Sequence, residues 1–336
     1  MTKAIVFNKT GYDPFIDFIK AYAIICVLIG HTLPVTQMGY GLWAGMQVPL
    51  FILVQTFHFY KKENTKLNFR KISQRIILPF VLFGIFEFGV FLLFSNSYDY
   101  KSLITKWLQN GGGYGPGSYF PIVYIQIALL LPCFRWLSRR FTIKQLLWIF
   151  LILVEGLEII CSYIQPPEWL FRILCIRYLF LIYLGWIWVK EGVNLNAKMI
   201  VLSIISFLAI VYFEYITDYY SINNEPCFFS AKGWTFHRWP CYYYVANGLV
   251  YIVYSVWLYL KKSIWIEKVI KELAKSSYEI FLVQMLACLF LDGYLPFELP
   301  QVVTILLIWI VSIFGGIVVN ILLNRVFTKK FLCIKT

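Results

Sequence analysis

A lysine and a histidine stand eleven positions apart in the apolar run Asp17 to Pro34, DFIKAYAIICVLIGHTLP. At about 100° and about 1.5 Å per residue, Lys20 and His31 share one helix face and lie about 16 Å apart along it. Asp17 stands one turn before Lys20 on nearly the same face. Titratable side chains within an apolar helix are costly, and where they are kept they mark function or a hydrogen-bonded helix contact. A neutral imidazole either takes the proton of an attacking hydroxyl or carries a transferred group itself. His31 is therefore the candidate catalytic residue, and a plain interhelical contact is its structural alternative.

The elements that must position this stripe are membrane helices. Hydrophobic residues make up 60% of the 336, charged ones only 14%, and the mean hydropathy is +0.71. A soluble domain cannot hide that much apolar surface, so the chain reads as an all-α, polytopic integral membrane protein. Ten spans are expected, at 15–36, 40–60, 73–95, 119–137, 143–164, 169–190, 197–217, 241–260, 277–295 and 301–325, in a single domain covering 1–336. The first segment has no small-residue cleavage site and reads as a retained span.

The net charge of +13 follows from topology. Of the 30 Lys and Arg, Lys101, Lys106, Lys232 and Arg238 fall in loops on one side, and Lys20, Arg172 and Arg177 fall within or beside spans. All the others lie in loops on the opposite side, which the positive-inside rule assigns to the cytoplasm together with both termini. A nucleic-acid partner is thereby not indicated. The eight cysteines form no CxxC or Cys/His cluster, so no metal site is expected; Cys227 and Cys241 flank an outer loop and would pair only on an oxidising side.

Further polar residues qualify as supporting groups. The inner loop KKENTKLNFRKISQR leads into RIILPF and carries Lys71 and Arg75. Such a cluster either contacts lipid phosphates or binds a phosphate-rich donor, since Arg engages phosphate bidentately. Glu87 is an isolated carboxylate in the third span, followed by GGGYGPGSYFP at 111–121, which lacks the phosphate-cradling GxxxxGK[ST] pattern and reads as a flexible outer loop near a substrate mouth. Glu155 and Glu158 in the fifth span and Arg172 and Arg177 in the sixth are expected at similar depth, as ion pairs or as a polar pocket open to the outside. The aromatic connection 217–240 suits an interfacial belt. Gln284 lies about 7 Å deeper than Glu279 in the ninth span, where interhelical hydrogen bonding suffices to explain it.

Lys20-x10-His31, VPLF at 48–51, RIILPF at 75–80 and SSYEIFLVQ at 276–284, in this order and spacing, resemble the acyltransferase-3 family of integral membrane O-acyltransferases. The resemblance implies transfer of an acyl group, usually acetyl from acetyl-CoA, to a hydroxyl of a cell-surface polysaccharide or its lipid-linked precursor. It maps the essential histidine to His31, the first-helix basic position to Lys20 and the basic position before the third helix to Arg75, with Lys71 beside the latter. This chain departs from the pattern in several places. Lys20 stands where Arg is commoner, which keeps the charge but loses the bidentate fork. Ile52, Leu53, Val54 and Gln55 replace the usual Ser-Gly region, Tyr119 stands where Trp is common, Ile72 where a partner Arg is common, and Gln284 where many members have a second histidine.

The expected activity is thus O-acylation in the cell (plasma or inner) membrane. The acyl-CoA is a co-substrate, with no tightly bound cofactor; a surface glycan or lipid-linked sugar is the acceptor, and membrane lipids are the surroundings. His31 is the catalytic candidate. Lys20, Lys71 and Arg75 are the donor-binding ones, and Asp17, Glu87, Glu155, Glu158, Arg172, Arg177 and Gln284 the supporting polar ones. Two rival readings use the same residues: a glycan or small-anion transporter or flippase lined by the Glu155/Glu158 and Arg172/Arg177 groups, and a non-catalytic scaffold in a polysaccharide complex. The absence of internal repeats and of matched discontinuous spans weighs against the transporter.

Overall fold

Asp13 and Pro14 fix where the first helix begins. The Asp13 side chain accepts a hydrogen bond from the Phe15 N–H at 3.0 Å, and Pro14 fills the first helical position, where no N–H is needed. Helix α1, Pro14–Thr32, runs unbroken from that cap and ends at Leu33, whose backbone is extended. The computed structural model describes residues 5–8, 11–33, 46–62, 68–94, 100–164, 166–194, 196–211, 242–293 and 300–332. Cys227, Cys241 and the 217–240 connection lie outside them.

After α1 come α2 (Gln47–Lys61) and α3 (Phe69–Ile72), which passes through a π-helical turn, Ser73–Ile77, into α4 (Leu78–Phe94). Then follow α5 (Tyr100–Gln109), α6 (Phe120–Arg140) and α7 (Ile143–Ile164). Next are α8 (Glu168–Ile173), α9 (Leu179–Glu191) and α10 (Ala197–Val211). The C-terminal part holds α11 (Val250–Leu260), α12 (Ile264–Lys275), α13 (Ser277–Gly293) and α14 (Gln301–Leu332). Among the described residues there is no strand; one isolated bridge, Ile5 with Val193, ties the N-terminal segment to the end of α9.

Four described helices are long and apolar enough to cross a membrane: Pro14–Thr32, Phe69–Val90, Phe120–Arg140 and Gln301–Val326. A fifth crossing exists if α12 and α13, bent by 69°, are taken as one span. The all-helical membrane class is therefore observed, and long apolar helices stand at four or five of the ten expected positions. Residues 169–190, expected as one continuous span, are interrupted instead. Helix α8 stops at Ile173, the chain turns through Leu174 and Cys175, and a 3-10 turn, Ile176–Tyr178, precedes α9. The Gln126 side chain holds this break open, its Nε2 donating to the Ile173 carbonyl at 2.6 Å and its Oε1 accepting from the Cys175 N–H at 3.0 Å.

The core is one apolar cluster that runs from Phe15, Ile19 and Val27 of α1 through Leu50 and Leu53 of α2 and Phe180 of α9 to Phe281 of α13. Inside a bilayer, helices approach by close packing rather than by hydrophobic collapse, and small residues decide where. Gly316 of α14 is such a residue. A Cβ there would stand 2.5 Å from the backbone N and Cα of Ile280, so α13 and α14 touch backbone to backbone at this point. Asn320, one turn along α14, donates to the Ser276 hydroxyl at 3.0 Å and fixes the register at the α12/α13 bend.

Replacing Gly316 with leucine forces this contact apart, and is expected to lower the unfolding midpoint in detergent by about 5 °C or more. Gly89→Leu, at a position with nothing within 4 Å of an added Cβ, should leave it in place. Thermal unfolding of the two purified variants checks this.

Candidate active site

His31 sits in the last turn of α1, half-buried. Its neighbour Thr32 locks that turn from two directions. The Thr32 hydroxyl donates to the Leu28 carbonyl at 2.6 Å and accepts from the indole N–H of Trp309 on α14 at 2.9 Å. The imidazole therefore projects from a fixed end, and among the described residues neither of its ring nitrogens has a hydrogen-bond partner.

The wall opposite His31 is the glycine-rich segment between α5 and α6. Gly117 has φ +86°, a conformation that side chains with a Cβ rarely adopt. A Cβ there would also stand 2.9 Å from the Phe281 ring and 3.5 Å from His31 Nε2. The segment is packed, not a loose outer loop. Its anchor is Glu87 of α4, 1% exposed, whose Oε1 accepts from the Gly115 N–H at 2.5 Å while the Tyr114 N–H also bonds the carboxylate. Further bonds complete the hold: the Tyr114 hydroxyl to the Leu103 carbonyl at 2.7 Å and the Ser118 hydroxyl to the Asn110 carbonyl at 2.6 Å. Gly115 lies against the backbone of Met285 on α13. Helices α4, α5 and α13 thus hold one backbone segment against the imidazole of α1.

One turn from Phe281 along α13, Tyr278 lines a cavity of about 600 Å³, a size usual for small-molecule sites. Arg70, Lys71, Arg75 and Lys275 stand around it, all exposed. Tyr124, Glu279 and Asn320 form part of its interior. The π-helical turn Ser73–Ile77 carries Arg75 here, and the Tyr278 hydroxyl donates to the Ile76 carbonyl of the same turn at 2.9 Å. A chain of four aromatic rings starts from the cavity lining and includes Phe281, which lies near His31. Tyr278 and Phe281 are 6.4 Å apart between centroids, Phe281 and Phe120 5.7 Å, and Phe120 and Tyr124 6.1 Å.

A family model described as an acyltransferase domain matches residues 13–325, nearly the whole chain. The chain belongs to the acyltransferase-3 family. No curated protein and no solved structure matches it. Segments far apart in this acyltransferase sequence meet in space. RIILPF and SSYEIFLVQ touch through Tyr278 and Ile76 at the cavity, and Phe281 of the latter packs beside His31.

The other polar candidates are distributed around this centre. Lys71 and Arg75 border the cavity. Lys20 does not; it pairs with Asp17 at 2.9 Å, and both act electrostatically on His58 of α2. Asp17 also accepts from the Tyr12 hydroxyl at 2.7 Å. Glu158 and Arg177 are buried, and the Arg177 guanidinium lies over the rings of Tyr178 at 4.7 Å and Tyr119 at 5.3 Å. Arg177 therefore adjoins the glycine segment through Tyr119. Glu155 is half-buried on α7, and the Arg172 side chain lies outside the described residues. Gln284 is fully buried on α13, its Nε2 directed at Cys288 Sγ at 3.1 Å. Among the described residues no cluster of His, Cys, Asp or Glu is arranged to hold a metal ion.

Sequence reasoning passed over Tyr278, Lys275 and Asn320, and read the glycine segment as a flexible outer loop near a substrate mouth where it is a packed wall. The signal for the wall was present: an isolated intramembrane carboxylate followed by glycines at 111, 112, 113, 115 and 117. A buried carboxylate needs donors, and a glycine-rich backbone supplies N–H groups without side chains in the way.

Glu87→Leu removes the acceptor and is expected to release the wall, so that limited proteolysis within 110–119 speeds up while helix content measured by circular dichroism stays the same. Glu87→Gln keeps one carbonyl acceptor and should stay close to wild type in the same assay.

Proposed function

We propose that this protein is a membrane O-acyltransferase that moves an acyl group, acetyl from acetyl-CoA, to a hydroxyl of a cell-surface polysaccharide or its lipid-linked precursor. The observation that carries the reading is the relation of two features: a cavity with four cationic side chains at its edge, lined by Tyr278, and an imidazole, without a hydrogen-bond partner among the described residues, near Phe281 one helical turn along α13. The family membership supplies acyl transfer. The cavity edge suits a donor bearing phosphates, because guanidinium and ammonium groups neutralise them and arginine does so bidentately. In this reading the edge faces the cytoplasm of a cell membrane, where acyl-CoA is found, both termini lie on that side, and the acceptor arrives from the outer side past the glycine wall.

The chemistry needs one base and one electrophile. The acceptor hydroxyl is a poor nucleophile near neutral pH until its proton is taken as it attacks. His31 takes that proton while the hydroxyl oxygen bonds to the thioester carbonyl carbon. The C–S bond then breaks, the sulfur leaves with the electron pair, and the imidazolium returns the proton to it. The products are the O-acyl ester and free CoA thiol, and no cofactor is consumed. Lys71 and Arg75 hold the donor. Lys20, paired with Asp17, sets charge at the inner end of α1. Arg177, stacked on Tyr119, and Glu158 contribute to the acceptor side, with Glu155 and Arg172 nearby in sequence.

The test uses membranes containing the protein, radiolabelled acetyl-CoA and surface polysaccharide stripped of its esters by mild alkali. Wild type is expected to transfer label into alkali-labile ester. Lys71→Ala together with Arg75→Ala should raise the KM for acetyl-CoA about tenfold or more while changing the KM for polysaccharide little. Absence of label from the polysaccharide with wild type, at confirmed protein level, contradicts the reading.

A further inference from the structure

Two glutamines stand on helices packed against α1, Gln47 on α2 and Gln284 on α13. Gln47 opens α2 and lies close to Gly30, the residue before His31. A Cβ on Gly30 would stand 3.5 Å from Gln47 Nε2. Gln284 approaches from α13. Phe281, Gln284 and Cys288 lie within about 60° of one another around that helix, with Gln284 between the other two along its length. Phe281 reaches the Gly117 position beside His31, while Cys288 packs with Ile308, next to the Trp309 that bonds Thr32. Gln284 thus lies between these two positions along α13, a helix packed against α1.

Both Oε1 atoms are buried, and among the described residues neither has a hydrogen-bond partner. Gln284 as a whole is 0% exposed. A buried carbonyl that has lost water and gained no donor is destabilising, and such groups in native proteins are normally satisfied. The imidazole of His31, next to Gly30 in the chain, likewise has no hydrogen-bond partner among the described residues. Together these groups form a set in which acceptor capacity is in excess and donors are missing.

We propose that Gln47 and Gln284 bind the acyl acceptor, each Oε1 accepting a hydrogen bond from a hydroxyl next to the one that reacts at His31; this rests on the acyltransferase reading above. The ligand class is a neutral sugar ring with several hydroxyls, which brings the donors the site lacks. The donor substrate does not satisfy these carbonyls through its phosphates, because phosphate oxygens are acceptors too. A site built to bond hydroxyls rejects analogues without them, so the two glutamines select a polyhydroxylated ring rather than a simple alcohol.

The experiment compares wild type, Gln47→Leu, Gln284→Leu, Gln47→Glu and Gln284→Glu in membranes. Acetyl-CoA is the donor, and alkali-stripped surface polysaccharide from the same cells is the acceptor. Leucine removes the acceptor oxygen at similar volume; glutamate retains one whether or not it is protonated. Each leucine variant is expected to raise the KM for polysaccharide about five- to tenfold with the KM for acetyl-CoA unchanged. Each glutamate variant should return the polysaccharide KM to within about twofold of wild type. A polysaccharide KM unchanged in both leucine variants overturns the proposal, as does an equal rise in both KM values that glutamate does not reverse, the mark of a packing defect. Failure of wild type itself to label the polysaccharide counts against the acyltransferase reading, and the two failures are thereby distinguished.

Discussion

The carboxylate of Glu87 and the backbone N–H groups of Tyr114 and Gly115 depend on each other inside an otherwise apolar bundle. A carboxylate with so little exposure persists only where donors replace its lost water. A backbone segment packed among helices likewise needs acceptors for its N–H groups. Each supplies what the other lacks, and the segment so held is the wall against which His31 stands. Gly117 can approach the imidazole because it carries no side chain and because its backbone adopts a positive φ. The site therefore follows from the two bonds that Glu87 of α4 accepts from an irregular segment, with α13 closing it through Phe281 and Met285.

The second organising contact lies on the cavity side. The π-helical turn at Ser73–Ile77 interrupts regular α-helical bonding, as single π turns at functional positions often do. The Tyr278 hydroxyl occupies the Ile76 carbonyl there. Helix α13 is in turn set by the backbone contact at Gly316 and the Asn320–Ser276 bond. One helix therefore meets both places: α13 lines the cavity with Tyr278 and, one turn on, sets Phe281 near His31 of α1.

Much of this was legible in the sequence because membrane burial leaves a compositional mark. The helical membrane class, the unbroken first helix, and the shared face of Asp17, Lys20 and His31 all follow from apolar runs and helical periodicity. The pairing of Asp17 with Lys20 was likewise readable, since the two are three residues apart. The break near Leu174 was not legible, because apolar residues continue through it and the clamp is Gln126, far away in sequence. Lys20 was grouped with Lys71 and Arg75 by charge, yet it stands with Asp17 and His58, because charge alone carries no information about which helix neighbours which. Tyr278 and Gln47 were invisible for a similar reason: their roles depend on partners about 200 residues away in the case of Ile76, and on the next helix in the case of Gly30.

The most direct test of the account is the O-acyl ester content of surface polysaccharide from cells carrying wild type, His31→Ala or no copy of the protein, with membrane levels matched. The account predicts esters with wild type and none in the other two. Equal ester content with wild type and His31→Ala would contradict the assignment of His31, and equal content in all three would contradict acylation of that polysaccharide as the function.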